Sequence, residues 1–180
     1  DCVVSGPEDA VIRLAVILDG QGVSLRRLKI KGAAHSSMVD PILGTFAEFV
    51  KTIPLHPPQI PWVSNVTGTW LTEEEAVQPD YWVRHLRQTV RFTDGIQRLT
   101  RDPDQILLEV GPGRTLTTLV TRHPGKAAEQ IVLCSMRHPK DIQSDVAFLL
   151  TSLGKLWLAG VPIDWVEFYA NEQRHRIPLS

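Results

Sequence analysis

The chain runs to 180 residues, 43% of them apolar and 22% charged, with 19 lysines and arginines against 20 aspartates and glutamates. A formal charge of −1 and the lack of any local basic stripe exclude the electrostatic footprint of a nucleic-acid binder. No apolar run approaches the roughly 18–20 residues that span a bilayer, and the length suits one ordinary domain or two small ones.

In chain order, Asp1-Cys2-Val3-Val4-Ser5-Gly6 has neither the basic start nor the apolar stretch of a signal peptide, and no initiator Met. The chain is therefore expected to be a piece of a longer, cytoplasmic protein. Residues 2–5 read as a short buried strand stopped by Gly6-Pro7. Val11, Leu14, Ala15 and Leu18 recur at helical spacing, closed by Gly20 and Gly22. Val23 to Ile30 alternates and reads as a second strand. Val39, Ile42, Leu43, Phe46 and Val50 form another helical stripe, with Pro41 in its first turn. Four prolines within 54–61 make a stiff connector.

A strand is expected over 62–66, then a helix over 79–99 interrupted near Thr89-Val90-Arg91. The apolar run Gln105 to Val110 reads as a strand entering Gly111-Pro112-Gly113, followed by a helix over 114–122 and a strand over 130–134. From Asp145, the stripe Val146, Leu149, Leu150, Leu153 and Trp157 marks a helix stopped at Gly160. The tail from Ile163 carries Trp165, Phe168 and Tyr169 without periodicity and is expected to be pinned down. Alternating strands and helices argue an α/β fold.

Cys2 and Cys134 are too few for a disulfide framework or a zinc site, and are expected to be reduced and half-buried. None of the six histidines stands at ligand spacing from another, so no metal site is expected. His85, between Arg84 and Arg87 on a helix, reads as a solvated surface group. His35 differs, because it follows three tiny residues where a strand meets a helix, a place that commonly faces a cleft. From pattern alone it is either a catalytic group or an ordinary helix-start histidine. Glu109-Val110-Gly111-Pro112-Gly113 lacks phosphate-loop spacing and reads as a tight turn. No G-x-S-x-G nucleophile elbow occurs anywhere in the chain.

An ordered set of phrases remains: Val4-Ser5-Gly6-Pro7, Ala34-His35-Ser36 with Met38-Val39-Asp40-Pro41, Ser64-Asn65-Val66-Thr67-Gly68, Tyr81 to Gln88, Val90-Arg91-Phe92 and Glu109 to Gly113. With these in order, the chain resembles part of the acyltransferase domain of a modular type I polyketide synthase, related to the malonyl-transacylases of fatty-acid synthesis. Gly160 to Trp165 and Arg176-Ile177-Pro178-Leu179 resemble the linker that follows this domain. The resemblance implies that residues 1–31 are the second half of a ferredoxin-like small subdomain. Residues 32–130 would then be the C-terminal part of an α/β-hydrolase-like core, and residues 131–180 the linker.

It further implies a Ser-His dyad that moves a malonyl- or methylmalonyl-type group from CoA, through an acyl-serine, to the phosphopantetheine thiol of an acyl carrier protein. No cofactor is held; acyl-CoA is donor and carrier phosphopantetheine acceptor. The implied partners are that carrier and the adjacent ketosynthase and linker regions. His35 matches the catalytic histidine, and Gln88 the residue whose main-chain carbonyl orients it. Gly32-Ala33-Ala34 occupy the positions tied to substrate choice. The family's serine elbow has no counterpart here, so the chain alone is expected to be inactive and poorly folded. The competing readings are a non-catalytic docking or scaffold fragment and a free-standing transacylase, the second disfavoured by the linker-like tail.

Overall fold

The computed structural model of the protein describes residues 2–28 and 32–172. The expected strand residues 29 and 30 and the linker phrase at 176–179 lie outside the described residues. The chain divides into two units, Asp1–Pro103 with His123–Ala127, and Asp104–Arg122 with Ala128–Ser180.

The first unit begins with α1 (Glu8–Gly20), which opens on Glu8 and Asp9 where the helix dipole favours acids. Its stripe is the one read from spacing: Val11, Leu14, Ala15 and Leu18 are half-buried, whereas Ile12, Val16 and Ile17 are exposed. Arg27 pairs with Glu8 at 2.5 Å, returning the chain beside the helix start. The strands expected at 2–5 and 23–28 do not form. A strand exists only through its ladder, and among the described residues neither segment meets one. Cys2 is accordingly exposed rather than half-buried, while Cys134 is half-buried as expected.

The stripe from Val39 starts as a 3-10 helix, Ser37–Ile42, and becomes α2 (Leu43–Lys51) only after Pro41, which has no N–H to donate to an α-helical ladder. The expected strand at 62–66 is instead one antiparallel bridge, Val63 to Trp70, flanking a tight turn. Ser64 makes the turn: its Oγ accepts the N–H groups of Val66 and Thr67 at 3.1 and 3.2 Å. Gly68 closes it at φ +71°, where a Cβ would lie 2.5 Å from that of Asp94.

The helices α3 (Glu73–Ala76), α4 (Pro79–Arg87) and α5 (Phe92–Leu99) follow. A Thr72–Glu75 capping box starts α3 and Pro79 starts α4. The expected interruption falls at 88–91. Val66, Leu71, Ala76 and Tyr81 form the core of this unit, with Trp82 packed against it. Tyr81 OH and Ser64 Oγ lie 2.9 Å apart, so the two most deeply buried side chains satisfy each other. α2 and the 3-10 helix pack on α4.

The second unit is a short βαβ motif followed by a helical arm. β1 (Leu107–Glu109) pairs in parallel with β2 (Val132–Cys134), in the register Leu107 to Val132, and α6 (Thr115–Thr121) packs on both. α7 (Asp145–Leu158) is capped by Ser144 and stops before Gly160 at φ +87°. Buried Ser152 donates to the carbonyl of Cys134 at 2.8 Å, tying α7 to β2. After the single turn α8 (Trp165–Phe168), Trp165 stacks on Tyr169 and meets Trp157 and Phe168 edge-on. Among the described residues the tail touches α7 through Trp165 on Trp157, and Trp157, Trp165 and Phe168 remain exposed. No helix among the described residues is long and apolar enough to cross a membrane.

Candidate functional site

Physical chemistry at the end of α4 organises the site. A helix C-terminus leaves its last carbonyls without intrahelical partners. Gln88 caps α4 with extended backbone (φ −81°, ψ 156°), so its own carbonyl turns out of the helix. Two carbonyls of this last turn meet one residue. The N–H of His35 donates to Leu86 O at 3.0 Å, and His35 Nδ1 lies 2.8 Å from Gln88 O. A carbonyl can only accept, so Nδ1 carries the proton and the lone pair is left on Nε2.

This double clamp holds His35 at φ +62°, in the left-handed region that few residues other than glycine enter, though histidine does so more readily than most. The flanking chain is tied as firmly. Ser5 Oγ donates to Ala34 O at 3.2 Å, and buried Ser36 donates to Ala33 O at 2.6 Å while accepting from Met38 N. Arg87 pairs with Asp40, fastening the end of α4 to the 3-10 helix that follows His35. His35 and Ala33 are half-buried, and Gly32, Ala34 and Gln88 are exposed. A Cβ at Gly32 would meet nothing within 4 Å, but the residue sits at φ +109°.

The structure thus brings the sequence-derived His35 and Gln88 into hydrogen-bond contact and sets Gly32, Ala33 and Ala34 on the segment leading to the histidine. An open groove of about 480 Å³ runs along 88–94 beside Val66. His85 departs from expectation. It is half-buried, its ring 6.1 Å from that of His35, and its Nε2 accepts from Asn65 Nδ2 at 3.3 Å. Burial first, and the charge of His35 second, hold its pKa below the ordinary histidine value. The signal for it was present: Tyr81 and His85 stand at i and i+4, one face of α4. No group of three His, Cys, Asp or Glu able to hold a metal occurs among the described residues.

The Gly111-Pro112-Gly113 turn is governed by Glu109. Its carboxylate accepts the N–H groups of Leu116 and Thr117 at 3.1 and 2.7 Å, covering the start of α6. Burial opposes its ionisation, but the amides of Thr117, Leu116 and Thr115 outweigh this, and its pKa falls below the usual 4.5. A carboxylate with a depressed folded pKa stabilises the fold above its unfolded value and loses that contribution as pH falls through the folded one. Urea unfolding of the complete domain should therefore show this contribution intact above about pH 5 and lost as the pH falls below that, through the depressed carboxyl value. Glu109→Gln should be less stable at the higher pH and flatter across the range.

Comparison with known proteins gives a consistent answer. A family model described as the acyl transferase domain matches residues 1–162. A phenolphthiocerol/phthiocerol polyketide synthase protein of Mycobacterium tuberculosis is 39% identical over 165 residues, which span 92% of this chain and 11% of that protein. Among solved structures, the acyl transferase domain of ZmaA superposes with a TM-score of 0.84 at 39% identity, over 97% of this chain and 40% of that one. The acyl transferase domain of SpnD, solved in complex with 2-(pent-4-yn-1-yl)malonyl, gives a TM-score of 0.81 at 45% identity, over 87% of this chain and 38% of its own. The chain thus spans about a tenth of its polyketide synthase relative and well under half of each solved domain.

Proposed function

The chain belongs to the acyl transferase domain family, and from that membership we propose that it is the histidine-bearing part of a cytoplasmic polyketide synthase acyltransferase. The observation that carries the reading is the 2.8 Å contact between His35 Nδ1 and Gln88 O. It leaves Nε2 as a base and does with a neutral carbonyl what the carboxylate does in a hydrolase triad.

The chemistry follows. A serine supplied from outside these 180 residues gives its Oγ proton to His35 Nε2 as it attacks the acyl-CoA thioester. The tetrahedral adduct collapses, the C–S bond breaks, and the proton on His35 goes to the departing CoA sulfur. In the second half, His35 takes the proton of a carrier protein's phosphopantetheine thiol, which attacks the acyl-serine. The serine oxygen leaves with that proton, and the enzyme is restored. No metal and no bound redox group enters this scheme; CoA brings the acyl group and the carrier protein receives it.

In this reading residues 1–31 belong to a ferredoxin-like subdomain, 32–130 to a hydrolase-like core and 131–180 to a linker facing the neighbouring ketosynthase. Gly32, Ala33 and Ala34 flank the acyl α-carbon. The α-substituted malonyl found with SpnD, 45% identical to this chain, supports a pocket that admits branching.

The test is mass spectrometry of the complete domain after mixing with acyl-CoA and then with holo carrier protein. An acyl adduct on a serine, discharged onto the carrier, is the expected result. The 180-residue chain by itself should acquire no adduct, since no G-x-S-x-G elbow lies within it. Complete domain that never becomes acylated would end the proposal.

A further inference from the structure

The helical phase that buries Tyr81 also carries His85 inward, and three aromatic rings surround it. His35 lies edge-on at 6.1 Å with 76° between the planes, and Tyr81 and Trp82 lie at 6.2 Å each. Asn65 donates to its Nε2 from the side chain at 3.3 Å. The main-chain carbonyl of the same Asn65 accepts the N–H of Arg91 at 2.9 Å, closing the 88–91 segment whose first residue holds His35 Nδ1. Asn65 itself sits in the turn locked by Ser64 against Tyr81. One residue therefore braces both groups that bear on the His35 imidazole.

We propose that Asn65 and His85 are positioning residues for His35: Asn65 keeps the lone pair of His85 Nε2 occupied, and the uncharged His85 ring fixes the His35 imidazole while keeping positive charge away from it. This rests on the assignment of His35 as the base of acyl transfer. The charged groups nearby are already matched. On α4, Arg84 pairs with Asp80 and lies over the Tyr81 ring, and Arg87 pairs with Asp40 of the 3-10 helix. On α2, which packs on α4, Lys51 pairs with Glu48. At the start of α5, Arg91 pairs with Asp94. Among the described residues of these elements the carboxylates near His85 are thus engaged elsewhere, and burial further disfavours an imidazolium there. A proton on His35 further disfavours one on His85.

The experiment measures pH profiles of kcat/KM, with kcat and KM separately, for the complete acyltransferase domain. The proteins compared are the unaltered domain, His35→Ala, His85→Gln, His85→Arg and Asn65→Ala. A fixed cation at about 6 Å lowers the proton affinity of His35, so His85→Arg should move the acidic limb down by about one pH unit. Its kcat should fall about tenfold, with KM for acyl-CoA unchanged. A glutamine side chain remains neutral and can accept from Asn65 but presents no ring to His35, so His85→Gln should leave the limb in place while lowering kcat several-fold. Asn65→Ala should lower kcat several-fold at constant KM. If arginine unfolds the domain, His85→Lys and the ¹⁵N shifts of the His35 ring report the same change in proton affinity. An acidic limb that does not move in a folded His85→Arg domain overturns the proposal. A His35→Ala domain with full transfer activity overturns instead the assignment of His35 beneath it.

Discussion

Replacing His35 with alanine should lower the rate of serine acylation by about 10²–10⁴-fold in the complete domain, the usual worth of a positioned general base. On the proposed mechanism the fall belongs in kcat, because the imidazole would act on a proton in flight and not on the bound CoA. His35 has a second duty that alanine also fails. It occupies φ +62°, which alanine adopts less readily than histidine, so His35→Ala mixes a backbone cost with the loss of the base. Asparagine separates the two. It tolerates the left-handed region, and its side-chain amide can donate to Gln88 O in place of Nδ1. His35→Asn therefore keeps the clamp and removes the base. Single-turnover acylation should be as slow in His35→Asn as in His35→Ala, with thermal unfolding of the asparagine variant close to the parent. An asparagine variant that acylates at the parent rate would make His35 a backbone device and not a base.

The local chemistry of the sequence carries the helices well. The stripe of α1, the helix at α7, the break at 88–91 and the Gly160 stop are short-range properties, and each is where spacing and punctuation place it. Of the expected α7 stripe, however, Val146, Leu149, Leu150 and Trp157 are exposed, and Ser152 is the buried residue of that helix. Strands differ. The expected strands at 105–110 and 130–134 form because each has the other as partner in a parallel pair. Residues 2–5 and 23–28 have comparable β-propensity but no ladder among the described residues, and propensity does not substitute for pairing. The run 62–66 departs from a strand for another reason. The Ser64 hydroxyl satisfies two backbone N–H groups itself and folds the chain into a turn.

The site is legible in one half. Small residues before His35 mark a place where backbone turns sharply, and the structure puts two positive-φ residues there, Gly32 and His35. The Gln88 contact is visible only through family resemblance, because a main-chain carbonyl leaves no trace in residue type. His85 is masked by its charged sequence neighbours, Arg84 and Arg87. On a helix, the residues three and four away matter more, and His85 shares its face with buried Tyr81.

Substrate choice should respond to Ala34 in the complete domain. The carbonyls on either side of its Cα are anchored, Ala33 O by Ser36 and Ala34 O by Ser5, so a larger side chain at 34 cannot swing away by moving the main chain. Gly32 is a different kind of position. At φ +109° a side chain on Gly32 would be strained although it would meet nothing within 4 Å, so the simpler test of pocket size is made at 34. On the proposed reading, alanine at 33 and 34 sets back the wall beside His35, and the parent domain should accept methylmalonyl-CoA at least as well as malonyl-CoA. If residue 34 faces the acyl α-carbon as proposed, phenylalanine there adds a ring that meets an α-methyl but leaves an α-CH₂ unhindered. One methyl group is worth about 1–3 kcal/mol, or roughly 10–200-fold in kcat/KM. Ala34→Phe should therefore shift a competition between the two CoA esters toward malonyl by that factor, read as the ratio of acyl groups on the carrier protein. The gain arises by excluding the branched substrate, so kcat/KM for malonyl-CoA itself should change little. Strong malonyl selectivity in the parent domain would show that the wall lies elsewhere, and an unchanged ratio in Ala34→Phe would show that residue 34 does not face the α-carbon.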